Sequence, residues 1–206
     1  MTPNNDATMG LILAGGLSSR MGGGDKGLSR LGEATILERI VARLTPQVQV
    51  LFLNANGDPS RLAKLSLPIL ADTLPDFPGP LAGVLAGLDH AAQVGFAEVV
   101  VVPCDAPFLP ADLVARLRAA VGGKGGAVSV SGGRRHPTAA LWPVHLRQVL
   151  RVALVEENQR RVETFLRRHG FVEVAWPAEP FDPFMNVNDP DGMVQARALL
   201  ERWPQA

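Results

Sequence analysis

The run Leu11–Gly27, LILAGGLSSRMGGGDKG, constrains the chain most. A short apolar stretch of strand type breaks into a long loop that holds one arginine and one lysine. Six of its residues are glycine: Gly15, Gly16, Gly22, Gly23, Gly24 and Gly27. Without a Cβ, backbone N–H groups can close on a ligand. Closely spaced N–H donors beside Arg20 and Lys26 suit an anion, above all a phosphate. The expected unit is therefore a strand, an anion-binding loop and then a helix.

A chain of 206 residues is large enough for one sizeable core. Twenty basic residues balance twenty acidic ones, so no overall charge favours nucleic acid or an anionic membrane. Cys104 is the single cysteine and no signal sequence is evident, which places the expected compartment in the reducing cytoplasm. No segment reaches the apolar length of a membrane span. Residues 1–8 are expected to be a disordered tail and 9–206 one domain. Only three lysines stand among twenty basic residues, so Lys26 within a glycine loop reads as a chosen point charge rather than generic surface.

Short apolar runs alternate with helical patterns along the chain, the mark of a largely parallel α/β sheet. Strands are expected at 9–14, 48–53, 69–70, 99–102, 127–130, 136–142 and 171–175. Thr35 and Glu38 have capping-box spacing, so a helix should start near Ile36. Further helices are expected at 59–65, 81–92, 110–121, 144–157 and 160–169, and from Pro190 to about Arg202. Residues 72–81 carry three prolines and a glycine and should form a shaped loop.

Gly22–Gly27 formally matches the dinucleotide fingerprint G-x-G-x-x-G, yet its context is wrong. That fingerprint follows a strand directly and opens a helix, and the next strand should end in an acidic ribose ligand. Here a stretch of loop intervenes, and the second strand ends at Asn54. Ligands of an open α/β sheet bind at the carboxyl ends of strands. Asn54, Asp72 and Asp105 all fall at such ends and should meet Leu13, Ala14, Gly15 and Gly16 along one edge. Asp105, between two prolines, is a candidate Mg²⁺ ligand, because Mg²⁺ takes one or two carboxylates and completes its shell with phosphate oxygens and water. Arg134 and Arg135 follow two glycines and could lie on a mobile loop that reaches a second anionic substrate. Cys104 reads as a small buried cysteine, His136 as either substrate-binding or structural, and Arg160, Arg161, Arg167 and Arg168 as a solvated helix face.

LAGGLSSRMGGGDKG resembles the signature of the sugar-nucleotide-type nucleotidyltransferases. Asn54-Ala-Asn56, the run from Asp72 to Gly83, Pro103-Cys-Asp-Ala-Pro107, His136-Pro-Thr138 and Asn186-Val-Asn188 narrow the likeness to the molybdenum cofactor guanylyltransferases. The likeness runs in order from about residue 10 to residue 200. It implies a three-layer α/β/α sandwich with a mostly parallel, Rossmann-like sheet, and transfer of GMP from GTP to molybdopterin with release of pyrophosphate. It also implies that Leu13, Ala14, Gly15, Gly16, Lys26, Asn54, Asp72 and Asp105 bind the nucleotide. By the same likeness Asp105 holds Mg²⁺, Arg20 lies over the phosphates, and Asn186 and Asn188 stand on the pterin side. Transient contact with cofactor-delivery proteins or acceptor molybdoenzymes fits the same picture. One departure is the three glycines before Asp25, where the family has two and a variable residue. The alternatives are a related enzyme using CTP, one acting on a sugar phosphate, and a non-catalytic nucleotide-binding module. A second glycine where cytidylyl relatives carry LAAG leaves room for a purine.

Overall fold

Residues 4–14, 26–74, 79–122 and 125–204 are described by a computed structural model, with the side chains of 4–6 and 26 outside that description. Nine strands and six α-helices follow in chain order among these residues. They are β1 (Asn4–Leu13), β2 (Arg30–Leu31), β3 (Ala34–Thr35), α1 (Ile36–Leu44), β4 (Val50–Asn54), β5 (Ile69–Leu70), α2 (Pro80–Val94), β6 (Phe96–Pro103) and α3 (Leu113–Val121). Then come β7 (Ala127–Ser131), β8 (Arg134–Pro143), α4 (Arg147–Val155), α5 (Val162–Arg168), β9 (Val172–Trp176) and α6 (Pro190–Arg202). Short 3₁₀ turns occupy Lys26–Leu28, Thr45–Gln47, Pro59–Leu65 and Val144–Leu146.

Seven strands form one sheet in the order β5-β4-β1-β6-β8-β7-β9, and only β8 runs against its neighbours. The sheet is therefore mostly parallel, and helices cover both of its faces. Alternation along the central strands shows why. Met9, Leu11 and Leu13 of β1 pack with Val99 and Val101 of β6 in one apolar cluster, under α2, α4 and α5. Ile12 and Ala14 pack with Val100 and Val102 in the other, under α1, α3 and α6. Val99 to Val102 are all fully buried, so a strand covered on both sides reads as a continuous β-branched run. Burial of each valine is worth up to about 1.5–3 kcal/mol against an extended unfolded chain.

Helix α1 starts where the capping box requires. The Thr35 side chain accepts from the Glu38 N–H, and the Glu38 carboxylate accepts from the Thr35 N–H at 2.7 Å. Helix α2 packs closely because of its glycines: a Cβ at Gly87 would sit 2.5 Å from the Leu11 side chain of β1.

Beyond shifts of a few residues at element ends, three features differ in kind from the sequence expectation. The expected tail of residues 1–8 meets a first strand that begins at Asn4, and Ala7 and Thr8 are buried. The physical reason is a polar anchor: Thr8 Oγ1 donates to the buried Glu98 carboxylate at 2.6 Å, and Arg118 pairs with the same group. The hairpin of β2 and β3 is unanticipated. Its two-residue turn starts at Gly32 with φ of 70°, the positive value a Gly-X hairpin turn uses. The expected helix at 59–65 is a 3₁₀ segment.

Candidate active site

Register across the parallel half of the sheet aligns four strand ends. Leu13 pairs with Asn54 on one side and with Pro103 on the other, and Asn54 pairs with Leu70. Leu70, Asn54, Leu13 and Pro103 therefore form one row, about 14 Å long at the usual strand spacing. The chain leaves each strand there, and the predicted residues follow from that row.

At one end stands Asp72, two residues beyond β5. Asn54 Nδ2 donates to Asp72 Oδ1 at 2.8 Å and to the Leu70 carbonyl at 3.1 Å. Asn56 Nδ2 donates to Asp72 Oδ2 at 2.7 Å, while the Asp72 N–H donates to Asn56 Oδ1 at 2.9 Å. Two asparagine amides thus clamp one carboxylate, one on each oxygen. Asn54 is almost fully buried against α2, and a Cβ at Gly83 would fall 2.2 Å from its Oδ1. The glycine therefore makes room for the asparagine. Helix α2 begins at this same edge, so the positive end of its dipole faces it. The Ala14 N–H donates to the Asn54 carbonyl at 2.8 Å, which fixes how the chain leaves β1.

At the other end stands Asp105, half-buried in the turn that follows β6. Two segments close on this turn. The Val187 N–H donates to the Asp105 carbonyl at 2.8 Å, which carries Asn186 and Asn188 to the same place. A Cβ at Gly27 would lie 3.3 Å from the Cys104 carbonyl oxygen, so the 3₁₀ turn that starts at Lys26 packs on the Asp105 turn. Backbone geometry alone therefore brings the exit of the glycine loop to the candidate metal ligand. Gly15, Gly16 and Arg20 lie outside the described residues, as does the side chain of Lys26.

Strand β8 runs backwards, so its start at Arg134 lies at the carboxyl edge of its parallel neighbours. A small cavity of about 60 Å³ opens there, lined in part by Pro103, Ala106, Arg134, His136, Thr138 and Asn186. Asn188 does not line it; it is exposed beside Asp189, the N-cap of α6. The His136 ring stacks on Phe184, with centroids 4.8 Å apart. Burial holds its pKa below the ordinary histidine value, against the opposing pull of Asp182. The expected mobile loop at Arg134 and Arg135 is a tight turn in which Gly132 and Gly133 both have positive φ. Arg135 is bound to Glu163 and Glu173 and braces β8 to α5 and β9. Only Arg134 of the pair lines the cavity without an ion pair or hydrogen bond among the described residues.

Sequence reasoning did not single out Asn56, Ser131 or Asp182 as site residues. Asn56 had a signal in the Asn-Ala-Asn repeat after a strand. Ser131 and Asp182 had none, since 51 residues separate them. Among the described residues no three His, Cys, Asp or Glu side chains group to hold a metal, and no helix is long and apolar enough to cross a membrane. A metal at this edge would then rest on Asp105 together with oxygens of its substrate. That hard, oxygen-only donor set fits a small divalent cation.

Known proteins resemble this chain along most of its length. Residues 10–174 match the MobA-like NTP transferase domain model. A protein of Mesorhizobium japonicum named molybdenum cofactor guanylyltransferase is 50% identical over 198 residues, covering 93% of this chain and 95% of that protein. The crystal structure of molybdopterin-guanine dinucleotide biosynthesis protein A from Archaeoglobus fulgidus superposes with a TM-score of 0.71 at 23% identity, covering 95% of this chain and all of that one. A Thermus thermophilus 2-C-methyl-D-erythritol 4-phosphate cytidylyltransferase superposes with a TM-score of 0.66 at 20% identity, covering 95% of this chain and 99% of that one, so the fold alone does not choose the base. At half of its residues identical to a full-length relative, and with the domain model spanning most of its length, the chain belongs to the MobA-like NTP transferase family.

Proposed function

We propose that the protein transfers GMP from GTP to molybdopterin, with release of pyrophosphate and formation of the guanine dinucleotide form of the cofactor. The observation that carries this reading is the in-register row of strand ends, with the clamped Asp72 at one end and Asp105 at the other. The row is long enough to lay out a nucleotide along the sheet edge, its base toward Asp72 and its phosphates toward Asp105. The likeness to guanylyltransferases of the same length decides between GTP and CTP.

An acceptor phosphate is already ionised, so transfer requires no protein nucleophile and no strong base. The obstacle is the approach of two polyanions. Lys26, Arg20 and the loop N–H groups offset that repulsion and stabilise charge that develops on the leaving pyrophosphate. Leu13, Ala14, Gly15 and Gly16 bind the nucleotide, and Asn54 holds Asp72 in place. Asp105 would hold Mg²⁺, which when bound neutralises phosphate charge and orients the oxygens. Holding both substrates in line supplies much of the remaining acceleration. Asn186 and Asn188 serve the pterin side. The reaction belongs to the cytoplasm, with transient handover from and to other proteins of cofactor assembly.

The test offers all four nucleoside triphosphates as donors with molybdopterin and Mg²⁺ and measures pyrophosphate release. GTP should be strongly preferred. Preference for CTP under matched conditions overturns the guanylyl assignment.

A further inference from the structure

A buried polar chain lies behind the cavity beside Asp105. Ser131, at the end of β7, is 2% exposed. Its Oγ stands 2.6 Å from Asp182 Oδ1 and 2.6 Å from His136 Nε2. A carboxylate only accepts, so the Ser131 hydroxyl donates to Asp182. That spends its one hydrogen, and toward His136 its oxygen can only accept. Nε2 must therefore carry the proton. In a neutral ring Nδ1 is then bare, and among the described residues it makes no hydrogen bond. Asp182 Oδ1 also accepts from the Phe184 N–H at 2.9 Å, and Phe184 is the ring on which His136 stacks. One carboxylate thus sets both the tautomer and the plane of the imidazole.

The cavity at this histidine has room for about two waters. It admits the edge of a heterocycle, not the whole of one. Its wall includes Pro103 and Ala106, which flank the Asp105 turn, whereas Asp72 lies at the far end of the strand row. The cavity is therefore on the acceptor side. Arg134 and Thr138 offer donors, and a bare Nδ1 offers an acceptor. A phosphate, rich in lone pairs, would meet Nδ1 lone pair against lone pair. A ring edge that carries both a carbonyl and an N–H satisfies all three groups.

We propose that His136 binds the acceptor substrate, accepting a hydrogen bond at Nδ1 from an N–H of its heterocycle, and that Ser131 and Asp182 are positioning residues that hold the tautomer able to do so. This rests on the pterin acceptor proposed above. Burial of the ring, which favours its neutral form, supports the assignment.

The experiment separates the two ring nitrogens in the full-length protein. An asparagine amide falls near the place of Nδ1, and a glutamine amide near that of Nε2. His136→Gln should raise the KM for molybdopterin about tenfold, the worth of one hydrogen bond in a water-poor site. His136→Asn should stay within about threefold, and the KM for GTP should stay within about twofold in both. Nitrogen-15 NMR should show the Nε2–H tautomer at His136 in the wild type and mixed tautomers in Ser131→Ala, a readout that does not depend on the His136 variants folding. A glutamine variant with wild-type acceptor KM, better rescue by glutamine than by asparagine, an equal rise in the KM for GTP, or an Nδ1–H tautomer in the wild type overturns the role of His136. Wild-type protein that transfers no GMP to molybdopterin at all instead overturns the reading of function on which it rests.

Discussion

The two ends of the sheet edge are built by different means. At the Asp72 end, parallel strands stop in register and each supplies its own candidate residue within two positions of its last pair. At the Asp105 end, the site is assembled from three distant segments: the turn after β6, the start of the antiparallel β8, and the strap from Asp182 to Asn188. The first arrangement is local and repetitive, because every parallel strand delivers its carboxyl end to the same side. The second depends on one reversed strand and on hydrogen bonds that span 51 to 82 residues of sequence. One sheet edge can thus combine regular strand geometry at one end with a composite wall at the other. Each end should respond to substitution in its own way.

The largest effect that would sharpen this contrast is expected at Gly83. Gly83→Ala drives a Cβ into Asn54 Oδ1 and the Leu13 side chain. It should destabilise the protein by about 1–3 kcal/mol in denaturant melts and weaken GTP binding, with acceptor KM little changed. Wild-type stability would mean that Asn54 is free to move and that the clamp on Asp72 is loose. Next come Asp105→Ala and Lys26→Ala, each expected to lower turnover by at least about tenfold, or 1.4 kcal/mol of barrier, with little change in melting temperature. Unchanged turnover in both would remove this end of the row from the chemistry.

Thr35→Ala removes the capping box of α1, which backs the Gly27 turn through Leu37 and lends no polar side chain to either end. It should cost about 1 kcal/mol of stability while both KM values stay put. A shift in either KM would show that α1 transmits strain to the edge. The smallest effect concerns pH. Burial lowers the folded-state pKa of His136 and of His169, so the unfolded chain takes up protons that the folded chain refuses. Stability should then fall as pH drops below about 6.5, the ordinary histidine value, and His136→Asn should flatten part of that slope in melts between pH 5 and 7. A slope unchanged in the variant would place the acid sensitivity elsewhere.

What could be read from the chain follows the same division. Val99–Val102, the Thr35–Glu38 box and Asp189-Pro190 at the head of α6 are local signals, and each element stands close to where its signal puts it. The hairpin turn at Gly32 carried a legible signal that was missed. The anchoring of Thr8 to Glu98 carried none, for the two are 90 residues apart. Arg135 shows the limit in the other direction. Two glycines before it suggested a mobile arm, and the acidic partners that immobilise it come from α5 and β9.

Sequence by itself determined the alternation of strands and helices and the strand ends that carry Asn54, Asp72 and Asp105. These are set by hydrophobic period, backbone freedom and capping, which act over a few residues. Tertiary structure alone decided that Val187 clips the Asp182–Asn188 strap to Asp105, and that Asp182 reaches His136 through Ser131. Those choices rest on hydrogen bonds between groups that become neighbours only once the sheet has its order and β8 its reversed direction, and no local pattern of residues encodes them.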